Sequence, residues 1–192
     1  MLRAFLNAQI RKMERTWTYD ASYLHEIIAV SPLSAAKFGV LSGLANRRDA
    51  PAEALAAVGV VGTLAEDCGP CTQISVDMAA ANGVKPAVLR AILAGDLEAM
   101  GADAALGYRF ARTALERRLK EADAVREAVV KRWGPKGLVA LALTLTTARM
   151  YPTVKYALGY GKTCSRVIVA GKPAPFHSPV PLSAPEPVSL PA

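Results

Sequence analysis

Apolar residues recur at intervals of three and four along most of the chain, and alternation over a strand's length is hard to find, so the pattern predicts an all-α fold. Leu2, Phe5, Leu6, Ile10, Met13 and Trp17 share one side of a first helix over 2–17, opposite Arg3, Arg11, Lys12 and Arg15. Such a helix suits docking on the core or on another subunit, and a membrane surface is the other partner its face would fit. A loosely helical stretch over 21–45 is broken at Ser31-Pro32, and the polar link Asn46 to Pro51 follows it. From Leu55, the positions Val58, Val61, Leu64 and Ala65 make a stripe that reaches Cys68. Ile74, Met78 and Ala81 continue a helix to Asn82-Gly83, a pair suited to a left-handed cap. Lys85-Pro86 opens a short helix that Gly95 closes.

Asp103 is predicted to cap one long helix in which Leu115, Leu119, Ala122, Val125, Val129 and Trp133 repeat along one side, before Gly134-Pro135 turns the chain. Leu138 to Thr147 is apolar on nearly every side, which predicts a central buried helix that Pro152 bends or ends. Segments 53–83 and 136–160 read as a weak pseudo-repeat of helix pairs. Beyond residue 170 the chain carries Pro173, Pro175, Pro179, Pro181, Pro185, Pro187 and Pro191 with little to bury. The division predicted is a helical domain, 1–170, and a Pro-rich, extended or disordered tail, 171–192, which removes His177 from catalysis.

Composition narrows this picture to one soluble-type globular domain: 192 residues, 52% apolar and 20% charged. The excess of 23 Lys and Arg over 16 Asp and Glu gives +7, a balance that fits nucleic acid, anionic membranes or acidic substrates. Its distribution points elsewhere. Arg109, Arg112, Arg117, Arg118, Lys120, Arg126, Lys131 and Arg132 interleave with Glu116, Glu121, Asp123 and Glu127 at helical spacing, as on a solvated face, so no nucleic-acid partner is expected. No run reaches the roughly 18 to 20 apolar residues of a membrane span. Arg3, Asn7, Arg11 and Lys12 interrupt any secretory h-region, which leaves the cytoplasm as the expected location. With His25 and His177 the only imidazoles, a zinc site built from several histidines is excluded by count, and no cofactor is expected.

The chemistry concentrates in Glu66-Asp67-Cys68-Gly69-Pro70-Cys71-Thr72-Gln73. A CxxC pair in the first turn of a helix brings two sulfurs within disulfide reach, and the free N–H groups and the dipole there stabilise a thiolate. Pro70 fits a first turn and not a helix interior, which places the helix start around Asp67 or Cys68. Redox chemistry competes with two other uses of the pair. A structural zinc would need Cys164 and His25 brought in by the fold, and a pair of inert buried thiols needs nothing further. Cys164 itself reads as a packed or exposed free thiol. The tetrapeptide is the one found in thioredoxin, but thioredoxins place it after a buried strand, whereas here helical patterns surround it.

The longer stretch from about Leu55 to Leu93 resembles the core of the alkylhydroperoxidase D-like, carboxymuconolactone decarboxylase superfamily in the order and spacing of its parts. These parts are an apolar helix, a CxxC opening the next helix, a Gly after it, and a short helix starting at a Pro. Segment 136–160, with Ala148-Arg149-Met150-Tyr151-Pro152, is similar to the second helical part of longer members, so the resemblance covers roughly 100 of 192 residues. It implies an all-helical homo-oligomer whose CxxC thiols reduce a peroxide, with Cys71 attacking and Cys68 resolving; helix geometry by itself favours Cys68, nearest the free N–H groups. In that family's peroxidase branch a His follows the second Cys by four residues and a Glu on the preceding helix completes a proton relay. Here Ser75 stands in the His position, and a hydroxyl cannot act as a base near neutral pH. Glu66 or Glu53 is the candidate for the acid–base part, and Gln73 for orienting a substrate or a water.

The expected function is therefore a cofactor-free thiol oxidoreductase that cycles Cys68 and Cys71 against a peroxide or a protein disulfide and is reset by an external thiol reductant. Slow hydroperoxide turnover, competent disulfide exchange, and a gain from Ser75→His if Glu53 or Glu66 lies within reach would follow from the missing imidazole. The alternative is a non-catalytic helical oligomer that binds a partner or membrane surface through its basic face.

Overall fold

The computed structural model describes residues 1–43, 48–161 and 166–177, and among these the chain forms eight helices and one two-stranded hairpin. In chain order the helices are α1 Leu2–Trp17, α2 Ser22–Val30, α3 Pro32–Ser42, α4 Ala52–Ala65, α5 Gly69–Ala81, α6 Pro86–Ala94, α7 Ala102–Leu115 and α8 Leu119–Ala157. Strands β1 Val167–Val169 and β2 Lys172–Ala174 pair antiparallel. The fold is thus predominantly helical. No helix is long and apolar enough to cross a membrane among the described residues.

Helix punctuation follows local chemistry. Ser31 Oγ accepts the Ser34 N–H and Pro32 fills the first turn of α3, so α2 must end where α3 begins. Gly83 (φ 87°) and Gly95 (φ 70°) take left-handed backbone after α5 and α6, conformations that cost glycine nothing. Gly134 (φ 73°, ψ 177°) interrupts the helical path of α8, and Pro135 then starts its second arm.

α4 is the central helix. Its residues 54–58 and 60–64 are all buried, as expected of a segment apolar all round. The arm 138–147 is instead buried on one side, with Ala140, Leu141 and Thr147 inward and Val139 55% exposed, which corrects the expectation that it is central. Small residues let the neighbours close on α4. A Cβ on Gly107 would lie 2.5 Å from the Ala54 carbonyl oxygen, and one on Gly62 would lie 3.1 Å from the Ala148 Cβ.

Three further expectations differ from the structure. The predicted helix from Asp103 to Trp133 is two helices, because Arg117 turns left-handed (φ 54°) and the chain folds back. The fold-back lets Phe110 and Ala111 of α7 share a core with Val129 of α8 and Val58 of α4, and burying the Phe or either Val side chain contributes about 2 kcal/mol. Glu116, held by Arg112 and by Arg118 (Nε to Oε2 2.7 Å), ties the bend. Asp103 is not the cap: Gly101 holds that place, and the Asp103 carboxylate accepts from Arg132 Nε at 2.6 Å. Pro152 does not end α8, which runs on to Ala157 with Pro152 buried.

The expected boundary at residues 170 and 171 falls inside the hairpin. Val167, Val169 and Ala174 are buried against α5 and α6, Arg90 donates to the Val169 carbonyl at 2.5 Å, and the His177 N–H donates to the Leu93 carbonyl at 3.0 Å. Residues 178–192 of the predicted tail lie outside the described residues, as do Cys164 and part of the 46–51 link.

Candidate functional site

Cys68 is the N-cap of α5, and Gly69 and Pro70 form its first turn. Proline has no N–H to leave unpaired there, and the Thr72 N–H and hydroxyl both donate to the Cys68 carbonyl, at 2.9 and 3.0 Å. Cys68 and Cys71 are joined as a disulfide with their Cα atoms 5.3 Å apart, a span disulfides ordinarily occupy. Cys68 is fully buried and Cys71 is 2% exposed.

The two sulfurs face different surroundings. A cavity of about 580 Å³ reaches Cys71 but not Cys68. Its wall is mostly apolar: Met13 and Trp17 come from α1, Leu55 from α4, Ile74 and Met78 from α5, and Tyr151 from α8. Ile74, Ser75 and Met78 follow Cys71 by three, four and seven residues, which puts all of them on one helix face. Thr144 supplies a hydroxyl that is buried and makes no hydrogen bond among the described residues.

Next to Cys71 lies a polar cluster that sequence reasoning missed. The Tyr19 hydroxyl is 3.8 Å from Cys71 Sγ, 3.5 Å from the Tyr23 hydroxyl, and accepts from Lys155 Nζ at 3.4 Å. Lys155 is 2% exposed, and its Nζ sits 4.9 Å from the Tyr19 ring centroid and 5.3 Å from that of Tyr23, within range of cation–π attraction. Burial pushes the phenols of Tyr19 and Tyr23 above their ordinary value, so both remain hydrogen-bond donors throughout the physiological range.

Of the remaining expected site residues, Ser75 lines the cavity, whereas Glu66 and Gln73 do not. Glu66 Oε1 accepts from Arg149 Nε and Nη2, each at 2.5 Å, which ties the end of α4 to α8. Gln73 Oε1 accepts the Ile168 N–H at 2.8 Å while its Nε2 donates to the Ile168 carbonyl at 3.0 Å and to Asp77 at 2.9 Å. Two residues beyond Cys71 is about 200° around a helix, so Gln73 points to the hairpin instead of the cavity. Neither candidate is therefore brought to the cavity beside Cys71. Glu53 is also absent from the cavity wall, and no carboxylate or imidazole of the described residues lines it. His25, the other proposed zinc ligand, is engaged by Asn7 (Nδ1 to Oδ1 2.5 Å) and Glu14 (Nε2 to Oε2 3.1 Å). No group of three or more His, Cys, Asp or Glu among the described residues is placed to hold a metal.

Family models, curated proteins and solved structures were each compared with the chain, and none matches it.

Proposed function

We propose that the protein is a thiol-dependent oxidoreductase, similar to the alkylhydroperoxidase D-like proteins, that cycles Cys68 and Cys71 between dithiol and disulfide. The observation that carries this reading is a disulfide-bonded CxxC at a helix N-terminus with Cys71, and not Cys68, at the wall of an apolar cavity. Cys71 is then the attacking thiol. Its near-complete burial favours oxidants small enough to enter the cavity, a hydroperoxide or a low-molecular-weight disulfide, over the surface disulfide of another protein. With a hydroperoxide, the Cys71 thiolate attacks the terminal oxygen. An S–O bond forms, the O–O bond breaks, and the leaving alkoxide takes a proton to become the alcohol. The Cys68 thiol then attacks the Cys71 sulfur, forms the disulfide and releases water. An external thiol reductant returns two electrons and two protons through a mixed disulfide with Cys71. Such a cycle suits a reducing compartment such as the cytoplasm.

The test is turnover of a small alkyl hydroperoxide and of a model disulfide with a dithiol reductant, together with the reduction potential of the pair. We expect turnover of both and a potential within the span of cellular thiol couples, about −300 to −120 mV. Thiols that stay inert to both oxidants would overturn the reading.

A homo-oligomer belongs to this proposal. Phe5 of α1, Leu33 and Val40 of α3 and Val139 of α8 are each more than half exposed, apolar side chains that a second copy of the chain would cover. Light scattering at micromolar concentration is expected to give a multiple of 20.3 kDa, and a monomeric mass would exclude assembly.

A further inference from the structure

We propose that Tyr19 is a catalytic residue of this cycle: its hydroxyl donates to the Cys71 thiolate once the disulfide is reduced and then passes its proton to the departing oxygen, with Lys155 as its positioning residue. The proposal rests on the thiol-redox reading of the site. Its starting point is that the Cys71 sulfur, the Tyr19 oxygen and the Lys155 nitrogen form a chain with steps of 3.8 and 3.4 Å at the edge of the cavity.

The directions of the hydrogen bonds follow from the chemistry of the donors. An ammonium has donors and no acceptor, so Lys155 must give a hydrogen to the Tyr19 oxygen, and the one Tyr19 hydrogen must point elsewhere. Its two available acceptors are the Tyr23 oxygen at 3.5 Å and Cys71 Sγ at 3.8 Å. A disulfide sulfur accepts weakly, so in the oxidised state the hydrogen is directed to Tyr23. Reduction turns Cys71 into a thiolate, a charged acceptor in a buried site, and charge-assisted bonds are about twice as strong as neutral ones. The hydrogen then moves to sulfur, and the Tyr23 hydroxyl is freed to donate to Tyr19.

The same arrangement supplies the proton that Ser75 cannot. When the Cys71 thiolate forms its S–O bond and the O–O bond of a hydroperoxide breaks, the alkoxide produced is far more basic than a phenolate. It takes the Tyr19 proton to leave as the alcohol. The phenolate left behind recovers a proton from the Lys155 ammonium, which regains one from water, and the Cys68 thiol proton leaves with hydroxide as water when the disulfide closes. Burial raises the Tyr19 phenol, which keeps the hydroxyl protonated until that step. A lysine held 2% exposed over two aromatic rings stabilises an anion at Tyr19 or Cys71 more strongly than an exposed one would, because little water screens it.

Among the described residues, groups from four parts of the chain face Tyr19. Tyr23 comes from α2, Cys71 from α5, Lys155 and Tyr151 from α8, and Asp20 from the same loop. Glu14 of α1 and His25 of α2 lie beyond the loop and bind each other at 3.1 Å. Asp20 accepts from the Ser22 hydroxyl at 2.6 Å.

The experiment reads the thiol directly. In a Cys68→Ser, Cys164→Ser background Cys71 is the sole thiol of the three cysteines, and its rate of alkylation by iodoacetamide against pH gives its pKa. Tyr19→Phe removes one oxygen and is expected to raise that pKa by about one unit, roughly tenfold less thiolate at neutral pH. The plateau rate at high pH should stay unchanged. Lys155→Met should shift the profile the same way and Lys155→Arg should restore most of it. In the chain with its cysteines intact, Tyr19→Phe should lower hydroperoxide turnover by roughly a hundredfold. Exchange with a model disulfide should fall by only about tenfold, since a thiolate leaves without a proton. A Cys71 pKa that is the same with Tyr19 and with Phe overturns the proposal, and so does an equal loss in the two assays. Alkylation needs no turnover, so an inert wild-type dithiol would sink the redox reading while the pKa comparison still judges the contact between Tyr19 and Cys71.

Discussion

Replacing Cys71 with serine is expected to lower turnover of both a hydroperoxide and a small disulfide by at least about a thousandfold. Serine keeps the shape of the side chain but not its acidity: the hydroxyl stays protonated under conditions where a thiol at a helix N-terminus ionises. Cys68 cannot replace it. Cys68 is the N-cap residue of α5, has no exposure and does not line the cavity that holds the oxidant. Cys68→Ser should behave differently. Attack at Cys71 survives, the sulfenic acid forms once, and the reaction stops for want of a resolving thiol. Rapid-mixing measurement of peroxide consumed per protein should therefore give a burst of one equivalent in Cys68→Ser and none in Cys71→Ser. A burst in Cys71→Ser would assign the attacking role to Cys68.

The second large effect is on stability. Gly107→Val should destabilise the fold by about 3 kcal/mol and lower its melting temperature by roughly 6 to 12 °C. The position is helical and needs no unusual backbone, so glycine is there for the space it leaves. The nearest atoms to a new Cβ are the Ala54 carbonyl oxygen at 2.5 Å, Cα at 2.9 Å and carbonyl carbon at 3.0 Å. All three are backbone, so no rotamer change relieves the clash, and α7 and α4 must separate. Gly107→Ala gains about 1 kcal/mol of helix propensity and still meets the same atoms, so a smaller net loss is expected. Urea midpoints of both variants check the ordering. Equal midpoints for Val and the natural chain would mean that the two helices can part at no cost. Because α4 also carries Leu55 of the cavity wall, the Val variant should weaken the site together with the fold.

Much of the architecture is legible wherever one residue dictates the local backbone. Ser31-Pro32, Pro86, Gly95 and Gly134-Pro135 each mark a helix end or start, because capping and proline geometry act within a few residues. Pro70 likewise places Cys68 at the start of α5. The bend at Arg117 has no such mark: no Gly or Pro lies in Leu115-Glu116-Arg117-Arg118-Leu119, and the fold-back is decided by the core that Phe110 and Val129 share with α4. The hairpin escapes a period-based reading because each strand is three residues long. At the site, proximity in sequence to the cysteines is a poor guide to facing them. Glu66 and Gln73 are neighbours that point away, whereas Ser75, one helical turn beyond Cys71, is in place. Tyr19 and Lys155 lie 136 residues apart, and only the packing of the α1–α2 loop on α8 brings them together.

α1 contributes Met13 and Trp17 to the cavity yet buries none of its own residues, and polar contacts such as those of Asn7 and Glu14 with His25, and of Arg3 with the Ala29 carbonyl at 2.8 Å, help to hold it to α2. One wall of the chamber is thus an element with no buried residue, while another, α4, is buried along most of its length, a contrast that places α4 higher on the scale of local unfolding free energy. Occupancy and wall stability are then thermodynamically linked: a molecule resting on Met13 and Trp17 stabilises the docked helix, and undocking the helix weakens retention of that molecule by the same coupling free energy. Retention of a molecule beside Cys71 is therefore coupled to how firmly α1 is docked.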